Sequence, residues 1–219
     1  MPQFVDLSHT IRDGLVTYRG LPPVHICQFL NRADSRRHYA PGTEFQIDQL
    51  TLVGNSGTYI DSPFHRYADG EDLAALALAK TSHLPGLVIR IPACKPWQAI
   101  EASLFRDHRI KGMAVLFHTG WSRHFGSPAY QSEHPFLTED AANALADAGV
   151  ALVGIDSHNV DDIRSDARPV HSRLLGDGIP IVEHLTGLDR LPDAGFSFHA
   201  APIKLEGVGT FPVRAYATF

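Results

Sequence analysis

The densest run of chemically capable side chains in this 219-residue sequence is residues 54–66, Gly-Asn-Ser-Gly-Thr-Tyr-Ile-Asp-Ser-Pro-Phe-His-Arg. In extended backbone alternate side chains share a face, so Asn55, Tyr59, Asp61 and His65 are expected to point the same way. An amide, a phenol, a carboxylate and an imidazole gathered on one surface can hold a cation, carry a proton or donate to a developing oxyanion. Gly57 suits a positive-φ turn or a close backbone approach, and Pro63 restrains the residues around it. The plainer possibility is a polar sheet edge, with Asp61 making a turn and His65 half exposed. Downstream, His171 and Glu183 form a second pair. Carboxylate with imidazole suits zinc or manganese better than calcium or magnesium. Spacing alone says little about this pair, because metal sites assembled from distant segments leave little local signature.

Other chemistries find less support. Ser56 lies in Gly-Asn-Ser-Gly, without the G-x-S-x-G form of a nucleophile elbow. No G-x-G-x-x-G follows a strand and no G-x-x-x-x-G-K-[ST] occurs, so no nucleotide cofactor is expected. Asp156, His158, Asp161, Asp162 and Asp166 make an acidic cluster after an apolar run, where open α/β sheets place ligands; they are expected to be a solvated loop. His118, His124 and His134 follow the preceding strand and are read as pocket or surface residues. Cys27 and Cys94 have no CxxC spacing, which excludes a disulfide framework or thiolate zinc site and leaves two small buried thiols.

Composition narrows the class. Nineteen basic against 24 acidic residues leave a net charge of −5, with no long Lys/Arg cluster, so nucleic acid is not the expected partner. The N-terminal MPQFVDLSHT has no basic region leading into an apolar stretch, and no run of about 18 apolar residues occurs. A cytoplasmic enzyme with no membrane partner is the default expectation. The 13 histidines are unusual, since imidazole is both the commonest metal ligand and a frequent general base.

The elements that must position these groups read as one α/β domain over residues 1–219, without repeat or linker. Residues 45–53 alternate like a half-buried strand, and 86–91 form a second one. Residues 97–107 follow Pro96 with helical spacing at Ile100 and Leu104. Residues 113–118 and 150–155 are continuous apolar runs, the kind buried on both faces of a parallel sheet. Between them Thr138 caps a helix with Glu139 and Asp140 in its first turn and a stop at Gly149, giving a parallel crossover. A short helix at 170–175 precedes Ile-Pro-Ile-Val-Glu-His-Leu, and two strands, 196–205 and 211–219, close the chain.

Taken together the motifs resemble the metal-dependent cyclase family of bacterial kynurenine formamidase and isatin hydrolase, whose hallmark is H-x-G-T-H-x-D-x-P-x-H. The matching stretch is Asn55-Ser56-Gly57-Thr58-Tyr59-Ile60-Asp61-Ser62-Pro63-Phe64-His65. The similarity continues through Asp6-Leu7-Ser8, Thr119-Gly120-Trp121, Gly154-Ile155-Asp156-Ser157, Val170-His171, Ile181-Val182-Glu183-His184-Leu185 and Ala201-Pro202-Ile203-Lys204, so it covers essentially the whole chain.

The resemblance implies a compact β/β/α cyclase-like, swivelling fold with a mixed sheet. It also implies a metal-dependent hydrolase of a small amide, formamide or lactam, of the arylformamidase type that serves tryptophan catabolism by converting N-formylkynurenine to kynurenine. Carried over position by position, Asp61, His171 and Glu183 match metal ligands and His65 matches the general acid/base. Asn55 and Tyr59 stand where the family has ligating histidines. Amide oxygen is a poor zinc donor, and a phenol must lose a proton to bind well. One divalent ion, Zn or Mn, on Asp61, His171 and Glu183 is therefore favoured over none, and over two, with the second family site lost. Asn55 and Tyr59 are then available as an oxyanion donor and a phenolic acid. The other course is a family member that binds a small molecule, or acts on an unrelated substrate, without metal. Phe64, Trp121 and Tyr18 could wall an aromatic pocket. A homodimer or homotetramer is implied, with the proline-rich N-terminal segment as a candidate for reaching a neighbour.

Overall fold

The computed structural model describes residues 2–92 and 95–219, so the expectation for Cys94 falls outside the described residues. Its strands are β1 (Phe4–Asp6), β2 (His25–Leu30), β3 (Ile47–Thr51), β4 (Tyr59–Asp61), β5 (Leu84–Arg90), β6 (Ala99–Ile100), β7 (Ala114–His118), β8 (Phe136–Leu137), β9 (Leu152–Ile155), β10 (Ile181–Glu183), β11 (Ala194–His199), β12 (Thr210–Pro212) and β13 (Tyr216–Thr218). The helices are α1 (Arg32–Ser35), α2 (Glu139–Asp147) and α3 (Pro169–Gly176). Nine strands form one sheet in the order β1-β13-β11-β5-β7-β9-β10-β4-β12. β5, β7, β9 and β10 run parallel, and the remaining pairs are antiparallel. The chain thus has the expected α/β class and mixed sheet.

The central strands are apolar throughout because both faces are covered. On one face Val115, Phe117 and Ile155 pack with Leu145 of α2 and with Val170 and Leu174 of α3. On the other, Leu116, Leu152 and Val182 pack with Leu7, Ile60 and Phe198. Thr138 caps α2 as expected, accepting the Ala141 N–H at 3.1 Å, and β7 and β9 pair in parallel on either side of that helix in sequence.

The sheet is curled. β12 borders β4 at one end of the strand order and β13 lies between β1 and β11 at the other, yet only Val213, Arg214 and Ala215 separate them. Four residue steps span at most about 14 Å, so the two ends must lie close together. The seam is tied by Leu7 N–H to Ala215 C=O at 2.9 Å and Thr186 N–H to Leu7 C=O at 3.0 Å.

Several expectations change. Residues 97–107 are not a helix: Ala99–Ile100 forms β6, pairing with β8, followed by a tight turn at Ala102–Leu104. A short isolated helix is marginal, and here the backbone finds sheet partners instead, Phe136 N–H to Gln98 C=O at 3.0 Å and Thr138 N–H to Ile100 C=O at 3.2 Å. Residues 45–53 do contain a strand, but among the described residues β3 pairs only with β2 and is exposed on both faces, as is the expected buried thiol Cys27 in part. The expected strand 196–205 is β11, which starts at Ala194 and ends at His199, and the expected strand 211–219 is broken into β12 and β13 by the turn across the seam. No helix among the described residues is long and apolar enough to cross a membrane.

Candidate metal centre and its cleft

Asp61 ends β4, with Ile181 of β10 opposite it on one side and Thr210 of β12 on the other, and it is fully buried. Thr210 Oγ1 donates to Asp61 Oδ1 at 2.5 Å. Asp61 Oδ2 is buried with no hydrogen-bond partner among the described residues, an arrangement that is costly unless a cation meets it. It faces His171 Nε2 at 3.7 Å, and the same nitrogen lies 3.8 Å from Glu183 Oε1.

His171 stands in the first turn of α3, and its orientation is set from behind. Asp161 accepts from its Nδ1–H at 2.6 Å and from the backbone N–H groups of Val170 at 2.8 Å and His171 at 3.1 Å. A neutral imidazole held this way presents its Nε2 lone pair forward, the usual second support of a metal-ligating histidine. With protein groups alone around it, burial pulls His171 down, but the hydrogen bond to Asp161 and the charges of Glu183 and Asp61 outweigh it and lift it to about 10. The pocket thus holds a positive charge favourably between its carboxylates.

Glu183 ends β10 and is also fully buried. Its Oε1 accepts the Val160 N–H at 2.7 Å, and its Oε2 accepts from the hydroxyl of Tyr59, its cross-strand partner, and lies 3.0 Å from Tyr18 Oη. Burial pushes Glu183 up to about 7, Asp61's charge adding to this and His171 opposing it. Burial first and Glu183's charge second raise Tyr18 and Tyr59 well above the ordinary phenol value, so both remain donors. The next residue, His184, is buried with φ 59°, a left-handed conformation uncommon for a side-chain-bearing residue and often found at functional sites.

His65 arrives on the tight turn Pro63–His65, not on extended backbone, yet it meets Asn55 and Tyr59 in one cleft of about 420 Å³, with His171. Its Nδ1 lies 2.8 Å from Thr210 Oγ1. Because Thr210's single proton goes to Asp61, His65 must donate from Nδ1, which leaves the Nε2 lone pair free. The turn fits because residue 209 is glycine: a Cβ there would lie 2.4 Å from the His65 backbone nitrogen. Asn55 makes no side-chain hydrogen bond among the described residues, so its amide is free for a ligand. Asp61, His65 and His171 each offer a donor atom within 4.8 Å of the others. Glu183 is outside that triple among the described residues, its Oε1 lying 3.8 Å from His171 Nε2.

These residues fit a divalent ion. Ligands about 2.1 Å from a tetrahedral metal lie roughly 3.4 Å apart, near the 3.7 and 3.8 Å separations from His171 Nε2. Asp61, His65 and His171 are the donors gathered together, one carboxylate and two imidazoles, and the Glu183 carboxylate lies beside His171; such groups suit zinc or manganese.

Sequence reasoning missed Asp161 and Thr210. The loop expected to be solvated is largely internal: Asp156, His158 and Asp161 are buried, Asp162 is half-buried and Asp166 exposed. Asp156 accepts from Thr119 and Gly120 at the end of β7. His134 is buried, His118 and His124 half-buried. The available signal was position, since Asp161 lies just ahead of a helix opening at Pro169, where a carboxylate can accept free N–H groups.

The chain belongs to the Cyclase family ("Putative cyclase"), whose model matches residues 5–162. It is 26% identical over 214 residues to a kynurenine formamidase of Bacillus cytotoxicus, covering 97% of this chain and 96% of that protein. A kynurenine formamidase of Geobacillus thermodenitrificans is 28% identical over 217 residues, covering 98% and 97%. Two solved structures share the fold: an isatin hydrolase bound to the product analogue thioisatinate, with TM-score 0.83, 23% identity and coverage of 100% and 92%, and isatin hydrolase A from Labrenzia aggregata, with TM-score 0.84, 19% identity and coverage of 99% and 93%.

Proposed function

We propose that the protein is a metal-dependent hydrolase of a small amide, formamide or lactam, arylformamidase-like, working in the cytoplasm as a homo-oligomer. The observation that carries this is the buried, unpartnered Asp61 Oδ2 facing His171 Nε2, with Glu183 Oε1 beside the same nitrogen. Asp61, His171 and Glu183 would hold one Zn or Mn ion. Such an ion supplies Lewis acidity, bringing the pKa of a bound water to about 7 and polarising the carbonyl.

The chain's own groups do the rest. His65 Nε2 takes a proton from the attacking water as its oxygen bonds to the carbonyl carbon, then delivers it to the nitrogen as the C–N bond breaks. Asn55, free at the cleft wall, donates to the oxyanion. Tyr59 donates to Glu183 Oε2 and fixes that carboxylate, with the Tyr18 hydroxyl beside it, so Tyr59 acts as a positioning residue instead of the phenolic acid considered from the sequence. The exposed arm of β2 and β3, with Phe29, Phe45, Ile47 and Leu50 all outward, supports a homodimer.

Turnover of N-formylkynurenine and isatin with added Zn²⁺ or Mn²⁺, read beside elemental analysis, tests the proposal. Asp61→Ala and Glu183→Ala should lose the ion, whereas His65→Ala should keep it and lose about 100-fold or more in kcat. Full metal occupancy in both carboxylate variants would remove the ligand assignment. No turnover across the metal panel would favour a binding protein or an unrelated substrate, the course suggested by Asn55 and Tyr59 at the positions of two family ligands.

A further inference from the structure

Residues 16–23 form a loop whose ends are tied together, Gly14 N–H donating to Val24 C=O at 2.8 Å and Val24 N–H to Leu15 C=O at 2.9 Å. On one side it walls the cleft that holds His65 and His171, and on the other an adjoining cleft of about 910 Å³; Tyr18 and Arg19 belong to both. Val16, Arg19 and Leu21 are exposed, and Pro22 and Pro23 have no N–H to offer. Among the described residues only Thr17 and Tyr18 hydrogen-bond the loop to the rest of the protein. Thr17 accepts the Gly57 N–H at Oγ1, 2.9 Å away, and the Gln131 side-chain amide at its carbonyl, 3.4 Å away.

Tyr18 reaches much further in. Its hydroxyl oxygen lies 2.6 Å from Tyr59 Oη, 2.9 Å from the His158 carbonyl and 3.0 Å from Glu183 Oε2, and the Asn159 amide donates to it at 3.3 Å. His184 Nε2 is 3.2 Å from the same oxygen, on a residue held at the strained φ of 59°. The other ring nitrogen of His184 is buried with no partner among the described residues. An orphan N–H is rarer in proteins than an orphan lone pair, so the ring proton belongs on Nε2, toward Tyr18. Tyr59 spends its one proton on Glu183 Oε2, so the short contact between the two hydroxyls is made by the proton of Tyr18. The donors thus run in one direction: from Asn159 and His184 to Tyr18, from Tyr18 to Tyr59, and from Tyr59 to a fully buried carboxylate.

We infer that Tyr18 is a positioning residue that latches the 16–23 loop onto Glu183, so that binding of a divalent ion and closure of the loop support each other. With the loop down, the phenol pair holds Oε2 and the carboxylate keeps Oε1 on the side of His171 Nε2. With the loop lifted, Tyr59 loses the donor behind it, Asn159 and His184 lose their acceptor, and the partition between the two clefts is breached. Coupling of this kind is reciprocal: the factor by which the closed loop favours the ion is the factor by which the ion favours the closed loop. The loop would therefore confine a bound molecule only when the reacting groups beneath it are complete. The inference rests on the hydrolase reading for the ion, whereas the latch itself belongs to the chain alone.

Limited trypsin digestion reads the loop through Arg19, with the exposed Arg109, outside both clefts, as the control within the same chain. Zn²⁺ or Mn²⁺ should slow cleavage after Arg19 by about tenfold or more and leave cleavage after Arg109 unchanged. In Tyr18→Phe, metal-free cleavage after Arg19 should be about tenfold faster and the metal effect should fall close to one. Chelator competition should then show ion affinity weakened by the same factor that protection has lost. Wild-type cleavage after Arg19 that ignores a bound ion, or a metal effect that survives in Tyr18→Phe, overturns the inference and leaves the metal reading standing. The wild-type comparison decides alone if the substitution unfolds the chain, which faster cleavage after Arg109 would reveal. If elemental analysis finds no bound Zn or Mn in the wild type, the metal reading fails instead, and the metal-free rates decide the latch. Faster cleavage after Arg19 in Tyr18→Phe, with Arg109 unchanged, sustains it; an equal rate overturns it.

Discussion

Thr210 has one hydroxyl proton and two neighbours, Asp61 Oδ1 at 2.5 Å and His65 Nδ1 at 2.8 Å, so the same side chain orients a candidate ligand and sets which nitrogen of the candidate base is free. Thr210→Val should lower kcat by roughly 10- to 100-fold with the bound metal retained, and Thr210→Ser should restore most of it. A kcat unchanged in the valine variant would detach Thr210 from the chemistry. Gly209→Ala tests the same turn from the backbone side. Its new Cβ would press on the His65 nitrogen, and we expect a loss of about 1–3 kcal/mol in chemical unfolding together with reduced activity. Asp61, His65, His171 and Glu183 were legible because the motif names them in order. Thr210 was not, being 145 positions from His65 and joined to it only by the pairing of β12 with β4. Asp161 was hidden differently, among neighbouring acids that look alike in sequence but differ in burial.

At the level of elements, legibility followed how much each segment decides locally. α2 has a threonine cap, two acids in its first turn and a buried Ala141–Leu145 face, and it formed where expected. Thr138→Ala should cost about 1 kcal/mol in denaturant unfolding, with little change in the metal site. Residues 97–107 have helical spacing too, but their partner is β8, and no local signal announces a two-residue strand. The β2–β3 arm shows the reverse failure: alternation correctly implied a strand and wrongly implied that its apolar side is covered by the same chain. If a second copy covers it, Phe45→Asp with Leu50→Asp should shift sedimentation from dimer to monomer. A single species of unchanged mass would exclude the arm from the interface.

For the molecule as a whole, the surplus histidines become an acid liability. Burial holds His9, stacked 3.7 Å from Phe125, at about 4, and His158, beside Tyr18 and Tyr130, at about 3, against 6.5 for an ordinary imidazole. Between pH 6.5 and these values the unfolded chain binds protons that the folded chain refuses, so stability is greatest above that window and falls as pH drops through it. Urea midpoints of metal-free protein between neutral and acidic pH should show the decline, and His9→Asn should flatten part of it. An unchanged slope in that variant would assign the acid sensitivity to other groups. Composition showed that histidine was abundant; only packing distinguishes the two that face the candidate centre from those that must stay neutral.

The curled sheet has a consequence for how such a molecule comes into being. A chain lengthening from its N-terminus acquires the parallel centre, Asp61, His65, His171 and Glu183 well before it acquires residue 210. Until β12 and β13 have been added and the seam is tied, His65 has nothing to hold its Nδ1–H, however complete the rest of the core. A nascent chain would therefore carry its candidate ligands while its candidate base is still unoriented, and full competence would arrive late, as the sheet meets its own edge.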